Sequence, residues 1–385
     1  MTIALVVGVI AVAAWSYLLL FRRFFWLMRE RDDRDPPPEP ASWPAVAAVV
    51  PARNEADVIA RSVAGLVAQD YPGDFHVTVV DDASDDGTAK VAAAAASELG
   101  AVERLTVMTG RTLANGWTGK LWAVAQGVEA ASDAAPTYLW ITDADIEHAP
   151  QTLRRLVARA EAGRLTLVSL MARLQTGTWP EKLLIPAFVF FFDMLFPFGL
   201  VNDPRSRVAA AAGGCMLVRR EALEAAGGIA SIRAEIIDDC ALGARLKAQG
   251  PVWLGLTRTS VSLRPYGSLA EIGRMVSRSA YAQLRYSPWL LGGTLAGMAL
   301  VYLAAPVLAS VGPGDVRWLG LTAWVLMAAA FQPMLAYYRV SPLYGLLLPA
   351  IGALYTLFTV QSAIDVWRGR GGMWKGRAQA LAASS

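Results

Sequence analysis

The sequence predicts an α/β domain with a mostly parallel sheet, joined to transmembrane α-helices. Apolar residues make up 55% of the 385-residue chain, which is more than an ordinary soluble domain contains. The excess gathers at 1–28 and 288–365, whereas 45–180 carries charges at the usual density and alternates apolar runs with amphipathic stretches. The chain therefore combines a membrane part with a polar block long enough to fold alone.

The first predicted element is a transmembrane helix within 1–28, because residues 2–21 carry no charge. Four arginines follow the apolar run: Arg22, Arg23, Arg29 and Arg31. They favour a cytoplasmic location for this end of the helix. A cleaved signal peptide would carry its charges before the apolar run and a small-residue cleavage site after it, and the sequence has neither. Residues 29–44 are charged and proline-rich and predict an extended linker.

Predicted strands and helices alternate after the linker. The predicted strands are 46–52, 76–82, 104–110 and 137–145, and the predicted helices are 55–70, 86–98 and 118–131. This alternation is typical of right-handed βαβ units and a parallel sheet. Open α/β sheets bind their ligands at the carboxyl ends of the strands, so the polar residues there form the candidate site. We assign 45–287 to this domain.

The C-terminal part predicts further membrane helices within 288–366. The apolar stretches are 288–311, 316–338 and 343–364. Each is long enough to cross ~30 Å of hydrocarbon. They hold no charged residue between their flanks, whereas a transporter or proton relay usually places ionisable groups there. These helices are therefore interpreted as anchors or acceptor walls.

Two segments leave the membrane topology open. The run 183–201 is apolar but contains prolines and an aspartate, so we expect it at the interface, because a full span would separate the motifs on either side of it. Three C-terminal spans would place the basic tail 367–385 outside, although its arginines and lysine favour the cytoplasm. Either the last apolar segment, marked by Pro342 and Pro349, is re-entrant or the positive-inside rule is overridden.

The charge and the cysteines exclude other classes of protein. A net charge of +3, without a basic stripe interleaved with aromatic residues, gives no indication of a nucleic-acid partner. Cys215 and Cys240 have no CxxC spacing and provide no metal framework, which favours a reducing compartment.

The first acidic pair, Asp81 and Asp82, ends a predicted strand and enters a turn that contains Ser84. An aspartate there can accept a hydrogen bond from a uracil-type base or a ribose hydroxyl. An Asx turn or a helix cap, which Asp85 and Asp86 could equally provide, is the alternative.

The second pair, Asp143 and Asp145, follows the apolar run YLWIT. Residues two apart on an extended chain face the same way, so both carboxylates are expected to point at one cation. Mg²⁺ or Mn²⁺ suits carboxylate oxygens and leaves positions for phosphate oxygens. His148 could complete the metal shell, although a structural histidine is the more common case.

The third pair, Asp238 and Asp239, opens a predicted helix that ends at Gly250. One carboxylate there can cap the helix, and the other is free to act as a general base toward an acceptor hydroxyl. Lys120 could meet a diphosphate, and the pair Gly213 and Gly214 could let the backbone approach a sugar or an acceptor.

Six segments, taken in order, resemble the family 2 glycosyltransferases with the GT-A fold. They are PARNEADVI (51–59), VVDDASDDGT (79–88), GKLWAVAQG (119–127), TDADIEH (142–148), GGCMLVRREAL (213–223) and DDCALGARLKAQG (238–250). The membrane helices, SRSAYAQLRYSPW (277–289) and WRGRGGMWKGR (367–377) are similar to the hopene-associated glycosyltransferases of bacteria. Ceramide glucosyltransferases are more distantly similar.

The resemblance implies an inverting transfer of a sugar from a nucleotide sugar, expected to be a UDP-sugar, to a lipid acceptor at the cytoplasmic face of a bacterial inner membrane. It implies a nucleotide-sugar site, a metal site at Asp145 with Asp143, and a catalytic base at Asp239 beside Asp238. The implied nucleotide-sugar contacts are Pro51, Arg53, Asn54, Glu55, Asp81, Asp82, Lys120, Asp143, Gly213 and Gly214. The Gln/Arg-x-x-Arg-Trp motif of lipid-directed relatives is altered here, and its nearest match is Gln283, Arg285 and Tyr286.

Three other functions fit the sequence less well. A nucleotidyltransferase would carry a glycine-rich loop after the first strand, and PARNEAD has no glycine. A processive polysaccharide synthase would need a translocation channel and an intact Gln-x-x-Arg-Trp motif. A catalytically silent, nucleotide-binding membrane scaffold would have no cation or substrate to offset three acidic pairs.

Overall fold

The computed structural model describes residues 2–370, 373–374 and 377–378. The chain divides into two compact units. One unit comprises 1–29, 176–199 and 266–372 and contains the long apolar helices; the other comprises 30–175, 200–265 and 373–385 and contains the sheet. The predicted domain boundary at 287 therefore differs from the observed division, since 266–287 groups with the apolar helices.

An eight-stranded mixed sheet forms the core of the second unit. Its strands are β1 Val46–Ala52, β2 Phe75–Asp81, β3 Leu105–Thr109, β4 Tyr138–Ile141, β5 Ile146–His148, β6 Leu167–Arg173, β7 Met216–Arg219 and β8 Val252–Ser262. The spatial order is β3-β2-β1-β4-β7-β6-β8-β5. Strands β1 to β4 are parallel, β7 is antiparallel to both β4 and β6, and β5 is antiparallel to β8.

Helices cover both faces of the sheet. Those of the sheet unit are α2 Ile59–Val67, α3 Thr88–Glu98, α4 Gly119–Ala131, α5 Thr152–Gly163, α8 Arg220–Ala225 and α9 Asp238–Lys247. Every residue of β1 is buried, and its alternate side chains join one hydrophobic cluster with α2, α3 and α5. Helix α4 covers the other face, where a Cβ on Gly127 would lie 2.4 Å from Val49 Cγ1. Only glycine allows so close an approach.

The predicted α/β fold is confirmed, and the structure adds two short strands, β5 and β7, that run antiparallel to the other six and that the apolar pattern did not indicate. One local prediction is wrong. Strand β4 ends at Ile141 and does not continue to Asp145, since the chain turns after Thr142 and the Ile146 N–H donates to the Asp143 carbonyl at 3.3 Å. The two aspartates therefore lie in the turn between β4 and β5, and they do not share an extended backbone.

The linker that was expected to be extended is held against the sheet. Arg31 pairs with Leu256 as an isolated bridge, and the Asp32 carboxylate accepts a hydrogen bond from Thr257 Oγ1 at 2.6 Å. Asp32 is consequently buried despite its charge. Burial raises its pKa, against the opposing hydrogen bonds from Thr257 and Thr259. The first residues of the proline-rich segment thus belong to the sheet unit.

The apolar unit is helical. Its helices are α1 Thr2–Phe21, α6 Trp179–Leu195, α10 Leu269–Gln283, α11 Pro288–Met298, α12 Ala304–Val311, α13 Asp315–Tyr338 and α14 Leu348–Trp367, and the short α7 Phe198–Val201 follows α6. A π-helical turn, Ala299–Leu303, makes α11 and α12 one continuous segment. Among the described residues, five segments are long and apolar enough to cross a membrane: 2–21, 179–201, 288–311, 315–338 and 342–367.

The chain leads from the sheet into helix α6 and returns from it to the same sheet. Strands β1 to β6 precede it, and β7 and β8 follow it. It begins at a capping box in which Thr178 and Glu181 exchange hydrogen bonds, and it is anchored within the apolar unit by the Tyr355 hydroxyl, which donates to the Leu184 carbonyl at 2.8 Å. This geometry supports an interfacial or re-entrant α6.

The chain doubles back after α13. The 3₁₀ segment Pro342–Leu347 runs antiparallel along α13: Gln332 Nε2 donates to the Pro342 carbonyl at 3.2 Å and Trp324 Nε1 to the Leu346 carbonyl at 3.1 Å. Helix α14 then returns, and Ala363 near its end packs against Leu291 at the start of α11. Since α11 and α12 run one way and α13 runs back, the ends of α13 and α14 lie on the same side.

This path predicts a cytoplasmic C-terminus. The predicted basic tail lies mostly outside the described residues, but the path of 342–367 already brings the chain back to the level of the α11 start. A phosphatase or fluorescent reporter fused after Ser385 is expected to report the same side as one inserted in the sheet unit. A tail on the opposite side would show that 342–367 is a complete span.

Candidate active site

The acidic residues gather at the carboxyl edge of the parallel strands. Asp81 is the last residue of β2, and Asp143 and Asp145 follow β4. Helix α9 starts with Asp238 and Asp239. The structure therefore brings the second and third acidic pairs together through Lys120, which was predicted to meet a diphosphate.

Lys120 links those two pairs. It lies in the first turn of α4, whose start is capped by the Thr118 side chain. Lys120 Nζ is 3.0 Å from Asp143 Oδ1 and 3.1 Å from Asp238 Oδ2. One ammonium group thus connects the turn after β4 with the start of α9 and offsets the repulsion among their carboxylates.

The pKa values follow from this arrangement. Burial by itself lowers the pKa of Lys120, but the carboxylates of Asp143, Asp238 and Asp239 outweigh that effect, so the pKa rises above its ordinary value. Burial raises the pKa of Asp143, and Lys120 opposes the rise. The lysine remains charged near neutral pH and holds its acidic partners in place.

Asp239 is oriented by the backbone. Its Oδ2 accepts a hydrogen bond from the Gly213 N–H at 3.0 Å, and its Oδ1 accepts one from the Cys240 N–H at 2.7 Å. Burial and the adjacent Asp238 charge raise the pKa of Asp239 to about 6, against the opposing charge of Lys120. A carboxylate with this pKa suits proton transfer near neutral pH.

The glycine pair has a different role from the one expected. Gly213 holds Asp239 through its N–H, and a Cβ there would lie 3.4 Å from Lys120 Nζ. The Gly214 carbonyl accepts a hydrogen bond from Thr142 Oγ1 at 2.8 Å, and a Cβ on Gly214 would lie 3.3 Å from the Ala172 Cβ. Both glycines let the segment that precedes β7 pack closely against the acidic residues.

Arg264 is a site residue that the sequence analysis missed. It follows β8 directly, and its Nε donates to Asp145 Oδ2 at 2.9 Å. Its Nη2 donates to both carboxylate oxygens of Glu55, at 2.9 and 2.8 Å. The only sequence signal is an arginine at the end of a strand, which is too common to single it out.

The first acidic pair lies against the loop after β1. The Asp81 carboxylate accepts a hydrogen bond from the Ser84 hydroxyl and a weak one from the Ser84 N–H at 3.4 Å. Arg53 donates to the carbonyls of Asp82 and Ala83, and its Nη1 is 3.7 Å from Asp82 Oδ2.

Asn54 and Asp86 brace this corner. Asn54 accepts a hydrogen bond from the Asp85 N–H at 3.1 Å through its side chain. Asp86 accepts a hydrogen bond from the Thr88 N–H, at the start of α3, at 3.0 Å and another from the Ala56 N–H at 2.9 Å. Asp86 therefore ties the loop after β1 to the start of α3, while Asp81 makes a local turn contact with Ser84.

Three predicted residues have surroundings that do not match their expected roles. Pro51 is buried inside β1. The last residue pair between β1 and β4 is Val49 with Ile141, so Pro51 lies beyond this pairing, where a missing N–H breaks no hydrogen bond. The Glu55 carboxylate is engaged by Arg264. His148 is buried, and its Nε2 and Nδ1 lie 2.8 Å from the Thr142 and Ser260 hydroxyls, respectively.

His148 therefore has the environment of a core histidine, and it gives no support to the predicted metal contact. Burial lowers its pKa to about 3, so the ring is neutral at physiological pH. A metal ion could reach either nitrogen only by displacing a hydroxyl.

The predicted acceptor residues belong to the apolar unit. Gln283 ends α10, and Arg285 and Tyr286 follow it with φ angles of 50° and 55°. The Tyr286 carbonyl accepts a hydrogen bond from the Tyr281 hydroxyl at 2.8 Å. Their predicted contact with acceptor or diphosphate stays a prediction.

The donor set fits a divalent cation that is completed by a ligand. Asp143 and Asp145 each give one carboxylate oxygen to a cationic side chain; the second oxygen of each accepts no hydrogen bond within the described part of the chain. Two carboxylates with open positions suit Mg²⁺ or Mn²⁺. Over the residues that the structure describes, no cluster of three or more acidic, histidine or cysteine side chains could hold a metal. Other oxygens would have to complete its shell.

The comparison with solved structures gives likenesses of different strength. A mannosyltransferase from Pyrobaculum calidifontis, in complex with GDP-Man and Mn²⁺, aligns with a TM-score of 0.56 and 22% identity over 95% of this chain and 99% of that one. Glucosyl-3-phosphoglycerate synthase from Mycobacterium tuberculosis aligns with a TM-score of 0.40 and 21% identity over 63% of this chain and 79% of that one. The first likeness defines the class of fold, GT-A.

The sequence comparison gives a family match over part of the chain. The family model described as glycosyl transferase family 2 matches residues 47–227, a segment that includes Asp81, Asp82, Asp143 and Asp145. The predicted resemblance to family 2 glycosyltransferases is confirmed over this segment, and the match supports a glycosyltransferase. No curated protein matches the chain.

Lys120→Gln is expected to lower the thermal stability of the enzyme. The substitution leaves the carboxylates of Asp143 and Asp238 without their shared cation. A loss of about 2 kcal/mol, typical of a hydrogen bond between charged groups, would lower the midpoint by about 4–8 °C in a domain of roughly 150–250 residues, the size range of the sheet unit. Differential scanning fluorimetry in EDTA measures it.

Lys90→Gln is the matched control, because Lys90 is exposed on α3. Equal midpoints for the two variants would contradict the role of Lys120 as a bridge.

Proposed function

We propose that the enzyme transfers a sugar from a nucleotide sugar, a UDP-sugar in the first instance, to the hydroxyl of a lipid acceptor, with inversion at the anomeric carbon. The observation that carries this proposal is the placement of Asp239. Two backbone N–H groups fix its carboxylate, and its raised pKa of about 6 suits a general base. Sugar transfer from a nucleotide sugar is the reaction class of the family.

The first step for the chain is to bind the donor. Asp81 and Asp82, with Arg53 and Asn54, would contact the nucleoside at the carboxyl edge of β1 and β2, where open α/β sheets bind nucleotides. The complex of the Pyrobaculum calidifontis enzyme with GDP-Man and Mn²⁺ supports a nucleotide-sugar donor and a divalent cation. A uracil base is inferred from the resemblance of the DDASDDGT segment.

Asp143 and Asp145 would hold Mg²⁺ or Mn²⁺. When bound, the cation supplies positive charge that stabilises the diphosphate leaving group. Lys120 places a further positive charge beside Asp143. The chain thus concentrates cationic groups where the negative charge of the leaving group develops.

Asp239 would then remove the proton of the acceptor hydroxyl. The acceptor oxygen forms a bond to the anomeric carbon, the bond from that carbon to the diphosphate oxygen breaks on the opposite face, and its electron pair leaves with the diphosphate. The proton remains on Asp239 until solvent removes it. Asp238 is expected to keep Lys120 in position, since its Oδ2 lies 3.1 Å from Nζ.

A lipid acceptor is proposed because the enzyme carries its own membrane helices. Five described segments are long and apolar enough to cross a bilayer, which fits catalysis at the cytoplasmic face of a bacterial inner membrane. The acceptor is proposed as hopanoid-related on the basis of the resemblance, with Gln283, Arg285 and Tyr286 near it. This part of the proposal is tested by the lipid profile of a deletion strain, in which one glycolipid should be missing.

Asp239→Asn is expected to reduce kcat at least 100-fold, the lower range for loss of a general base. The measurement is metal-dependent release of nucleoside diphosphate from a panel of UDP-sugars and GDP-Man, with a membrane lipid extract as acceptor. Asp74→Asn, at an exposed aspartate far along the sheet from β4, should retain activity. Unchanged turnover in Asp239→Asn would eliminate Asp239 as the base.

The pH profile should report the same carboxylate. Asp239 works only when deprotonated, so kcat/KM is expected to fall as the pH decreases through about 6. Asp238→Asn removes a charge that raises this pKa and should shift the acidic limb to lower pH. An acidic limb that stays in place in Asp238→Asn would assign the titration to another group.

A further inference from the structure

Arg264 holds two acidic residues that come from different parts of the sheet. Its Nη2 donates to both oxygens of Glu55, and its Nε makes a third hydrogen bond to Asp145. The two acidic side chains are 12% and 18% exposed, whereas the arginine side chain is 36% exposed. Part of the arginine side chain is therefore accessible at the edge where the donor is proposed to bind.

Glu55 is a fixed partner. Its N–H donates to Thr88 Oγ1 at 2.8 Å, and the next N–H, from Ala56, donates to Asp86 Oδ2 at 2.9 Å. The loop after β1 is thus tied to the start of α3. Because hydrogen bonds between ionised groups are about twice as strong as neutral ones, the Nη2 contacts with both Glu55 oxygens can retain Arg264 if its contact with Asp145 is lost.

Asp145 is the partner from which Arg264 can be displaced. It is one of the two carboxylates proposed to hold a divalent cation, and Arg264 Nε occupies its Oδ2 at 2.9 Å. A divalent cation on Asp145 would repel the guanidinium and compete with it for the carboxylate. The Nε–H would then need another acceptor, and the nearest anion in the proposed reaction is the donor diphosphate.

We propose that Arg264 is a diphosphate-binding residue that is stored on Asp145 in the free enzyme and stays anchored by Glu55 when a divalent cation and the donor bind. The proposal rests on the proposed function and adds a residue to its donor site. It also changes the expected role of Glu55 from a direct contact with the nucleotide sugar to the anchor of Arg264.

The test uses the full chain in nanodiscs and two binding measurements. Binding of Mn²⁺ alone is followed by electron paramagnetic resonance, and binding of UDP, with GDP as a second probe, is followed at saturating Mn²⁺ by calorimetry. Arg264→Gln is expected to bind Mn²⁺ alone about five- to tenfold more tightly and to bind the nucleotide about tenfold more weakly, the scale of one charge-assisted hydrogen bond.

Two further variants make the result specific. Arg264→Lys keeps the charge without the planar guanidinium and should restore part of the nucleotide affinity. Arg245→Gln removes an exposed arginine on α9 and should leave both affinities at their wild-type values. Thermal midpoints of all variants show whether each is folded.

The opposite shifts separate this role from simple bracing. If Arg264 only braces Asp145 and Glu55, Arg264→Gln will bind Mn²⁺ more weakly, and that result, like unchanged Mn²⁺ affinity, overturns the proposal. If the wild-type chain binds neither UDP nor GDP at saturating Mn²⁺, the proposed function is wrong. The proposed diphosphate-binding role of Arg264 is then wrong as well. The Mn²⁺ titration needs no nucleotide and still decides whether Arg264 competes for Asp145.

Discussion

The site depends on the balance between acidic and basic side chains at one edge of the sheet. Asp143, Asp238 and Asp239 surround a single lysine ammonium, and Asp145 meets a guanidinium. Without these cations the carboxylates would repel one another in a partly buried setting and would be protonated or displaced. The cations therefore allow a cluster of negative charge to exist before any ligand arrives, at the place where a divalent ion is proposed to bind.

The same balance explains why Asp239 is distinct from its neighbours. Asp238 shares Lys120 with Asp143, whereas Asp239 is held by the N–H groups of Gly213 and Cys240. A carboxylate fixed by neutral donors keeps more of its basicity than one fixed by an ammonium group. Two adjacent aspartates thereby have different surroundings, which fits the proposal that one holds the lysine and the other transfers the proton.

Sequence patterns predicted the parallel strands β1, β2 and β4 because these strands are mostly buried and read as apolar runs. Strand β1 was placed at its observed bounds. The two antiparallel strands, β5 and β7, were not predicted, since they contain only three and four residues, too few for a periodic signal. Arg264 could not be found because it meets Asp145 across 119 residues of chain. The acidic residues were found because they follow strand ends, but the turn after β4 could not be read from an Asp-Ala-Asp pattern.

The position of β8 also bears on how the enzyme is made. Strand β8 lies between β6 and β5 and is the only sheet neighbour of β5 among the described strands, yet it is synthesised after the apolar helix α6 has left the ribosome. Until residue 262 emerges, β5 and one side of β6 present open edges, which are the parts of a sheet most prone to pair with other chains. Early binding of α6 to a membrane would keep such partial chains apart during translation. Membrane binding of α6 would then precede completion of the sheet by β8.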